Sequence, residues 1–345
     1  MNKNAFSVFG LTTEQTQLLF SLQRLLVLND IPATTAKKDF LINHEKRANV
    51  KKQWLNRWEN SINDYLLHLD KKGVKLIMTH GEIEQAIIKQ DDICETNVWK
   101  YLVLLECCFF TPYTPLGGTQ EEINESGKLY AGLKLDKLSR KQTLLSIAAL
   151  LRVDSKYIDV FEKRKKSVVK RLTNYWLKIG ISAGIGLAVA ILALIPGTQP
   201  IAAALAPEGL SGAAAISAGL AALGGGAIAA GGFGIAGGIA VLVGGGALLG
   251  IGAGSATGVL IASMSSKAVL SEAVKLEVVL REIVLAIQKD TIQFQEILNK
   301  LVAEKEALKI ELEKLKNDQK ENEKKIKELK KSIEYLEKLI KDLRK

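Results

Sequence analysis

The chain has 345 residues, a formal net charge of +10 and 48% apolar residues, which is room for two or three structural units. Its three cysteines (Cys94, Cys107, Cys108) and three scattered histidines offer neither a disulfide framework nor a metal-ligand spacing. The opening "MNKNAFSVFGLTTEQTQ" turns polar where the apolar core of a secretion signal should continue.

In chain order, Thr12 and Thr13 precede "EQTQLLFSLQRLLVL", an N-cap before an amphipathic helix that is expected to stop at Pro32. From Ala36 to Asp70 apolar residues recur every three or four positions, and Trp54 and Trp58, one turn apart, are assigned to the core of a bundle. "NVWKYLVLLECCFF" reads as a more fully buried helix closed by the turn-rich "TPYTPLGG". Ser139 is expected to cap "RKQTLLSIAALLRV", and Asp154-Ser155 to cap "KYIDVFEKRKKSVVKRLTNYWLK", a helix that should run on into a membrane. Residues 1–160 are therefore predicted as a soluble helical bundle.

Chemistry is scarce in this region. "HGEIEQ" (His80, Gly81, Glu82) and Asp91-Asp92 are its small polar constellations, and a lone His beside a Glu is far more often a surface pair than an acid–base couple. H-E-x-x-H, G-x-S-x-G and G-x-x-x-x-G-K-[ST] are absent. No catalytic, cofactor or metal site is assigned, and a non-enzymatic protein is expected.

A basic cluster follows over 161–178: Lys163, Arg164, Lys165, Lys166, Lys170, Arg171 and Lys178, opposed by Glu162. Set against an apolar block, this is the juxtamembrane arrangement that holds a chain on the cytoplasmic side beside anionic lipid. It accounts for the basic excess without nucleic acid, which is not expected as a partner.

The block itself, 179–266, carries one charge, Glu208, and the stretch Gly180–Gly258 holds 22 of the 29 glycines. Gly232, Gly234 and Gly237 spell G-x-G-x-x-G, but a dinucleotide site needs an amphipathic helix and an acid about twenty residues on. The next acid is Glu272. Small residues instead recur every fourth place, at Gly226, Ala230, Gly234 and Gly238 and then, after Leu242, at Gly246, Gly250, Gly254 and Gly258. On a helix they form a bare stripe for close packing between membrane helices. "NYWLKIGISAGIGLAVAILALIP" supplies one span, with Tyr175 and Trp176 at the interface. Basic residues bound the block at Lys178 and Lys267, so both flanks prefer the same side and the span number is even, two or four. The triple glycines Gly224–Gly226 and Gly244–Gly246 are candidate breaks or re-entrant turns. A glycine-rich hairpin hidden in a soluble shell until triggered is the alternative.

The tail, 267–345, shows a heptad register with Leu301, Leu308, Leu315, Asn322, Leu329, Leu336 and Leu343 at d, and Ile326, Ile333 and Ile340 at a. Ile at a with Leu at d favours two parallel strands, and Gln319 with Asn322 supplies a polar register layer. Unbroken, the helix would run about 115 Å at 1.5 Å per residue. Self-association is favoured over folding back on the chain's own helices.

The predicted fold class is all-α: an N-terminal helical bundle, one or more Gly/Ala-rich transmembrane helical hairpins and a long C-terminal coiled-coil helix. Amphipathic helices flanking an apolar hairpin resemble, in layout, the α-helical pore-forming toxins. "GLSGAAAISAGLAALGGGAIAAGG" resembles the small glycine-rich interferon-inducible membrane proteins. Those resemblances imply membrane association and permeabilisation. Without an export signal, and with a coil outside the hairpin, the chain fits a toxin acting inside its own cell, such as a bacterial defence effector. The expected partners are a lipid bilayer, further copies through the coil, and a protein or trigger acting on the N-terminal domain. The expected location is a membrane, the bacterial inner membrane by this reading, with both termini cytoplasmic and a soluble state before triggering. A membrane-anchored coiled-coil tether without pore activity is the alternative function.

Overall fold

A computed structural model describes residues 9–36, 43–69, 73–116, 120–173, 241–249, 265–317 and 319–345. The described residues are predominantly helical, as an all-α class requires. They fall into two compact units: Thr12–Asp159, and a second that takes in residues 9–11, 160–173 and those described from 241 onward.

The first unit is built around α1 (Thr13–Thr35), against which α2 (His44–Leu69), α3 (His80–Ile93), α4 (Val98–Phe109) and α6 (Lys137–Leu150) pack; α5 (Gln120–Tyr130) lies between α4 and α6 in sequence. Thr12 starts α1 with a capping box: its hydroxyl accepts from the Gln15 amide at 3.2 Å, and Gln15 Oε1 accepts from the Thr12 amide at 3.1 Å. Pro32 does not stop this helix. It sits in the last turn, and the chain stays helical to Thr35 because Thr34 and Thr35 hydroxyls and the Ala36 amide bond back to Asp30 and Pro32 carbonyls. The long second helix begins at His44 rather than near Ala36. The cap of α6 is Asp136, not Ser139: its Oδ1 accepts from the Leu138 and Ser139 amides at 3.0 Å, while Ser139 Oγ donates to the Asn29 carbonyl.

Trp54 and Trp58 are buried and stacked at 6.0 Å, with Trp58 edge-on to Phe20 at 6.2 Å and the Trp54 indole donating to the Thr114 carbonyl at 2.7 Å. A polar knot ties this core together. Asp30, fully buried, accepts from Lys51 Nζ, Tyr113 Oη and the Asp136 amide, each at 2.5 Å. Lys51 also donates to Thr34 Oγ1 and the Lys134 carbonyl at 2.8 and 2.9 Å, so all three of its ammonium protons are used. Burial, then the facing Asp30 carboxylate, push the Tyr113 phenol far above its ordinary value.

In the second unit a short strand, β1 (Gly10–Leu11), pairs antiparallel with β2 (Val241–Leu242). Gly244 and Gly245, at φ +63° and +86°, then turn the chain into a 3₁₀ segment, Gly246–Leu249. A Cβ on Gly245 would lie 2.6 Å from the Leu276 amide nitrogen, so the turn is seated directly on a helix backbone. The boundary between the units falls in the first turn of α7 (Lys156–Thr173). Of the expected transmembrane region, 241–249 is described and is strand, turn and 3₁₀ segment rather than a continuous helix. The rest of the expected spans, with Gly226, Gly234, Gly238, Gly250, Gly254, Gly258 and Lys178, lies outside the described residues, and among those described no helix is long and apolar enough to cross a membrane.

The tail departs from a single uninterrupted helix. α8 (Ser266–Val278) passes into a π-helical stretch, Val279–Leu285, and Lys289 adopts φ +55°. Asp290 then caps a new helix, accepting from the Gln293 amide at 2.8 Å. This is α9 (Thr291–Lys316), followed by α10 (Gln319–Leu343). α10 packs on both α9 and α8. The heptad residues Leu301, Leu308, Leu329, Leu336 and Leu343 are buried, and Leu315 and Asn322 half-buried. The physical reason for intrachain packing is the width of the face. Ser332 and Leu339, at g positions, are buried beside Ile333 and Ile340, which makes a stripe suited to two neighbours rather than one.

Candidate functional site: the flanks of the apolar segment

After Thr173, at the end of α7, the apolar segment is described over 241–249 and again from Ser265, which caps α8 by accepting from the Ala268 amide. These two flanking helices are tied to each other and to α10 by charge. Arg164 Nε donates to Glu282 Oε1 at 2.6 Å, and Arg171 Nη2 to Glu277 Oε1. Arg171 Nε also meets Asp342 Oδ2 at 3.0 Å. Arg281 Nε reaches the same Glu277 oxygen at 3.3 Å, and its Nη2 donates to the Asp342 carbonyl at 2.8 Å. Later positions on α7 pair with earlier ones on the other flank, so α7 and α8 with its π extension run antiparallel. Ser266 N donates to Glu328 Oε2 at 2.8 Å and Arg281 meets Asp342, so α10 runs parallel to α8. Lys338 Nζ completes the tie by donating to the Leu172 carbonyl at 3.1 Å.

The basic cluster therefore divides. Lys163, Lys166 and Lys170 are exposed and Lys165 is half-buried, but Arg164 and Arg171 spend their guanidinium groups on carboxylates inside the unit. Arginine is suited to this use because its planar fork binds two acceptors at once. Burial disfavours the charge on Arg171, yet Glu277 and Asp342 outweigh it and hold the guanidinium above its ordinary value. Asp342 is likewise opposed by burial, and hydrogen bonds from Lys345 and Arg171 bring its carboxyl below the usual range. Glu328 is held low by its hydrogen bonds from Ser266.

α8 is unusual in itself. Every residue except Lys267 is buried, among them Ser271, Glu272, Lys275 and Glu277, with Glu272 and Lys275 paired at 3.3 Å. Ser271 Oγ and Glu277 Oε2 are buried without a hydrogen-bond partner. Sequence reasoning named neither Glu277 nor Asp342. The signal was there for Glu277: "AVLSEAVKLEVVL" puts an acid at the a position one heptad before Val284.

Of the glycines proposed for helix packing, Gly246 is described. It lies in the 3₁₀ segment with Phe9 against it, 2.6 Å from where a Cβ would stand, and not on a helix–helix ridge. The left-handed Gly244 and Gly245 just before it are what take the chain out of a helical path. In the first unit, Glu82 closes a capping box on Thr79, whose hydroxyl bond holds its carboxyl below the usual range, and Asp91 pairs with Lys100 at 2.5 Å. Among the described residues no group of His, Cys, Asp and Glu is placed to hold a metal ion. A cavity of about 340 Å³ is lined by His44, Arg47 and the already saturated Lys51.

No protein-family model matches this chain. Neither the curated proteins nor the solved structures contain a match.

Proposed function

We propose that this chain is a non-enzymatic, membrane-inserting protein that oligomerises and permeabilises a bilayer. One observation carries the reading: between two clasped helices lies a stretch, 179–266, with a single ionisable side chain and most of the chain's glycine. So long an apolar stretch exceeds what a core helix of ordinary length uses, and a four-residue small-side-chain repeat lets helix backbones approach closely where lipid replaces water. Exposed Lys163, Lys166 and Lys170 on α7 give the segment an edge attracted to anionic headgroups.

Polar residues inside the segment are few, chiefly serines and threonines near its ends. A tight or lipid-lined lesion is favoured over a wide aqueous channel. The same scarcity supports the second reading, an anchor without pore activity. Gly250→Leu separates them. Blocking close packing is expected to abolish dye release from anionic vesicles while leaving flotation with them intact. Unchanged release would remove the glycine repeat from the mechanism.

A further inference from the structure

We infer that α10 is an autoinhibitory strap, which keeps the two ends of the apolar segment clasped until an anionic lipid surface takes over its arginine contact. The inference rests on the membrane-inserting reading above and adds a gate to it.

Three features of the second unit lead there. The first is placement. α10 touches both flanks of the segment: Lys338 and Asp342 hold the last turn of α7, through the Leu172 carbonyl and Arg171, and Glu328 holds the first amide of α8. Residues 173 and 266 cannot part, or turn together toward a bilayer, while α10 lies across both. The second is energetic. Apart from Lys267, α8 is buried along its length with charged groups inside it, and one Glu277 oxygen lacks a hydrogen-bond partner. A buried ion network adds little net stability over water, yet it is lost sharply when one partner leaves. That is the behaviour of a catch rather than of a core. The third is the chemistry of the competitor. Arg171 is held by one oxygen from each of two carboxylates, and a lipid phosphate offers two acceptor oxygens on one group at high surface density, next to lysines that already face outward on the same helix. Transfer of the guanidinium from Glu277 and Asp342 to phosphate removes the contact that joins α7 to α8 and α10 at once, leaving the Arg164–Glu282 pair and the Lys338 bond to the Leu172 carbonyl to give way after it.

The test uses the full chain with Arg171→Ala and, as a milder change that keeps side-chain size, Asp342→Asn. Hydrogen exchange of the α8 amides is followed in solution without lipid, and dye release is followed with phosphatidylglycerol vesicles and with phosphatidylcholine vesicles. The expected result is α8 exchange about tenfold or more faster in both variants, because a charge-assisted bond is worth at least one decade. Release should begin at lower protein concentration and depend less on anionic lipid than in the parent. Unchanged exchange in Asp342→Asn would overturn the strap. So would faster exchange with the parent's release profile, because opening would then not be the gate. If the parent releases dye from neither vesicle, the permeabilising reading falls and takes this gate with it, an outcome recognisable because it appears in the parent itself.

Discussion

Asp30→Ala is the most informative change in the first unit. The carboxylate is fully buried and accepts three hydrogen bonds, from Lys51, Tyr113 and the Asp136 amide. Its removal leaves the Lys51 ammonium buried with two neutral acceptors, Thr34 Oγ1 and the Lys134 carbonyl. It also orphans a phenol and a backbone amide. Breaking a buried pair on one side costs about 3–5 kcal/mol, and each orphaned donor adds about 1–3 kcal/mol before relaxation. These terms overlap, so about 4 kcal/mol is the working figure. With a urea slope of about 2 kcal/mol per molar, the midpoint should fall by about 2 M. Trp54, Trp58 and Trp99 all lie in this unit, so tryptophan fluorescence during urea titration reads it. The double variant Asp30→Ala/Lys51→Met removes the stranded charge and should recover part of the loss. A midpoint shift below about 0.5 M, or a double variant no more stable than Asp30→Ala alone, would refute the view of this knot as a buried, mutually dependent set.

Four further outcomes follow from the same geometry. Because folding raises the Tyr113 pKa, its contribution is fully present below the unfolded tyrosine value of about 10 and is lost as pH rises above it; urea midpoints should fall from pH 9 to 11, and less steeply in Tyr113→Phe. Glu328 and Asp342 are shifted the other way, so the α10 contacts are intact above the unfolded carboxylate range of about 4 and weaken as pH falls through the lowered values; α10 exchange rates at pH 6 and pH 3 check this. Gly245→Ala places a Cβ against the Leu276 backbone at a φ of +86° and should cost about 3 kcal/mol in a thermal melt of the second unit. Gly246→Ala should be destabilising alone and substantially relieved in combination with Phe9→Ala, since the Phe9 side chain is what the new methyl meets.

Much of the first unit was legible because local rules decide it: the Thr12 cap, the three-four periodicity of α2 and the paired tryptophans all follow from spacing. The misses there were local too. Asp136 outcompeted Ser139 as a cap, and α1 continues through Pro32 to Thr35. The tail was harder for a different reason. A heptad register shows which residues avoid water but not whether the neighbour is another copy or the same chain. Within the chain, the details the register did not show are the buried g positions Ser332 and Leu339, and the break at Lys289-Asp290. The clasp was least legible of all: Arg171 and Asp342 are 171 residues apart, and only folding makes them neighbours.

Flotation with dye-loaded phosphatidylglycerol liposomes, scoring binding and release in the same sample, tests the membrane-permeabilising reading most directly. That reading predicts that the full chain floats and the dye escapes, with release rising more steeply than binding as protein is added, because copies act together. Protein that stays at the bottom of the gradient, or floats with its liposomes still full, would contradict it.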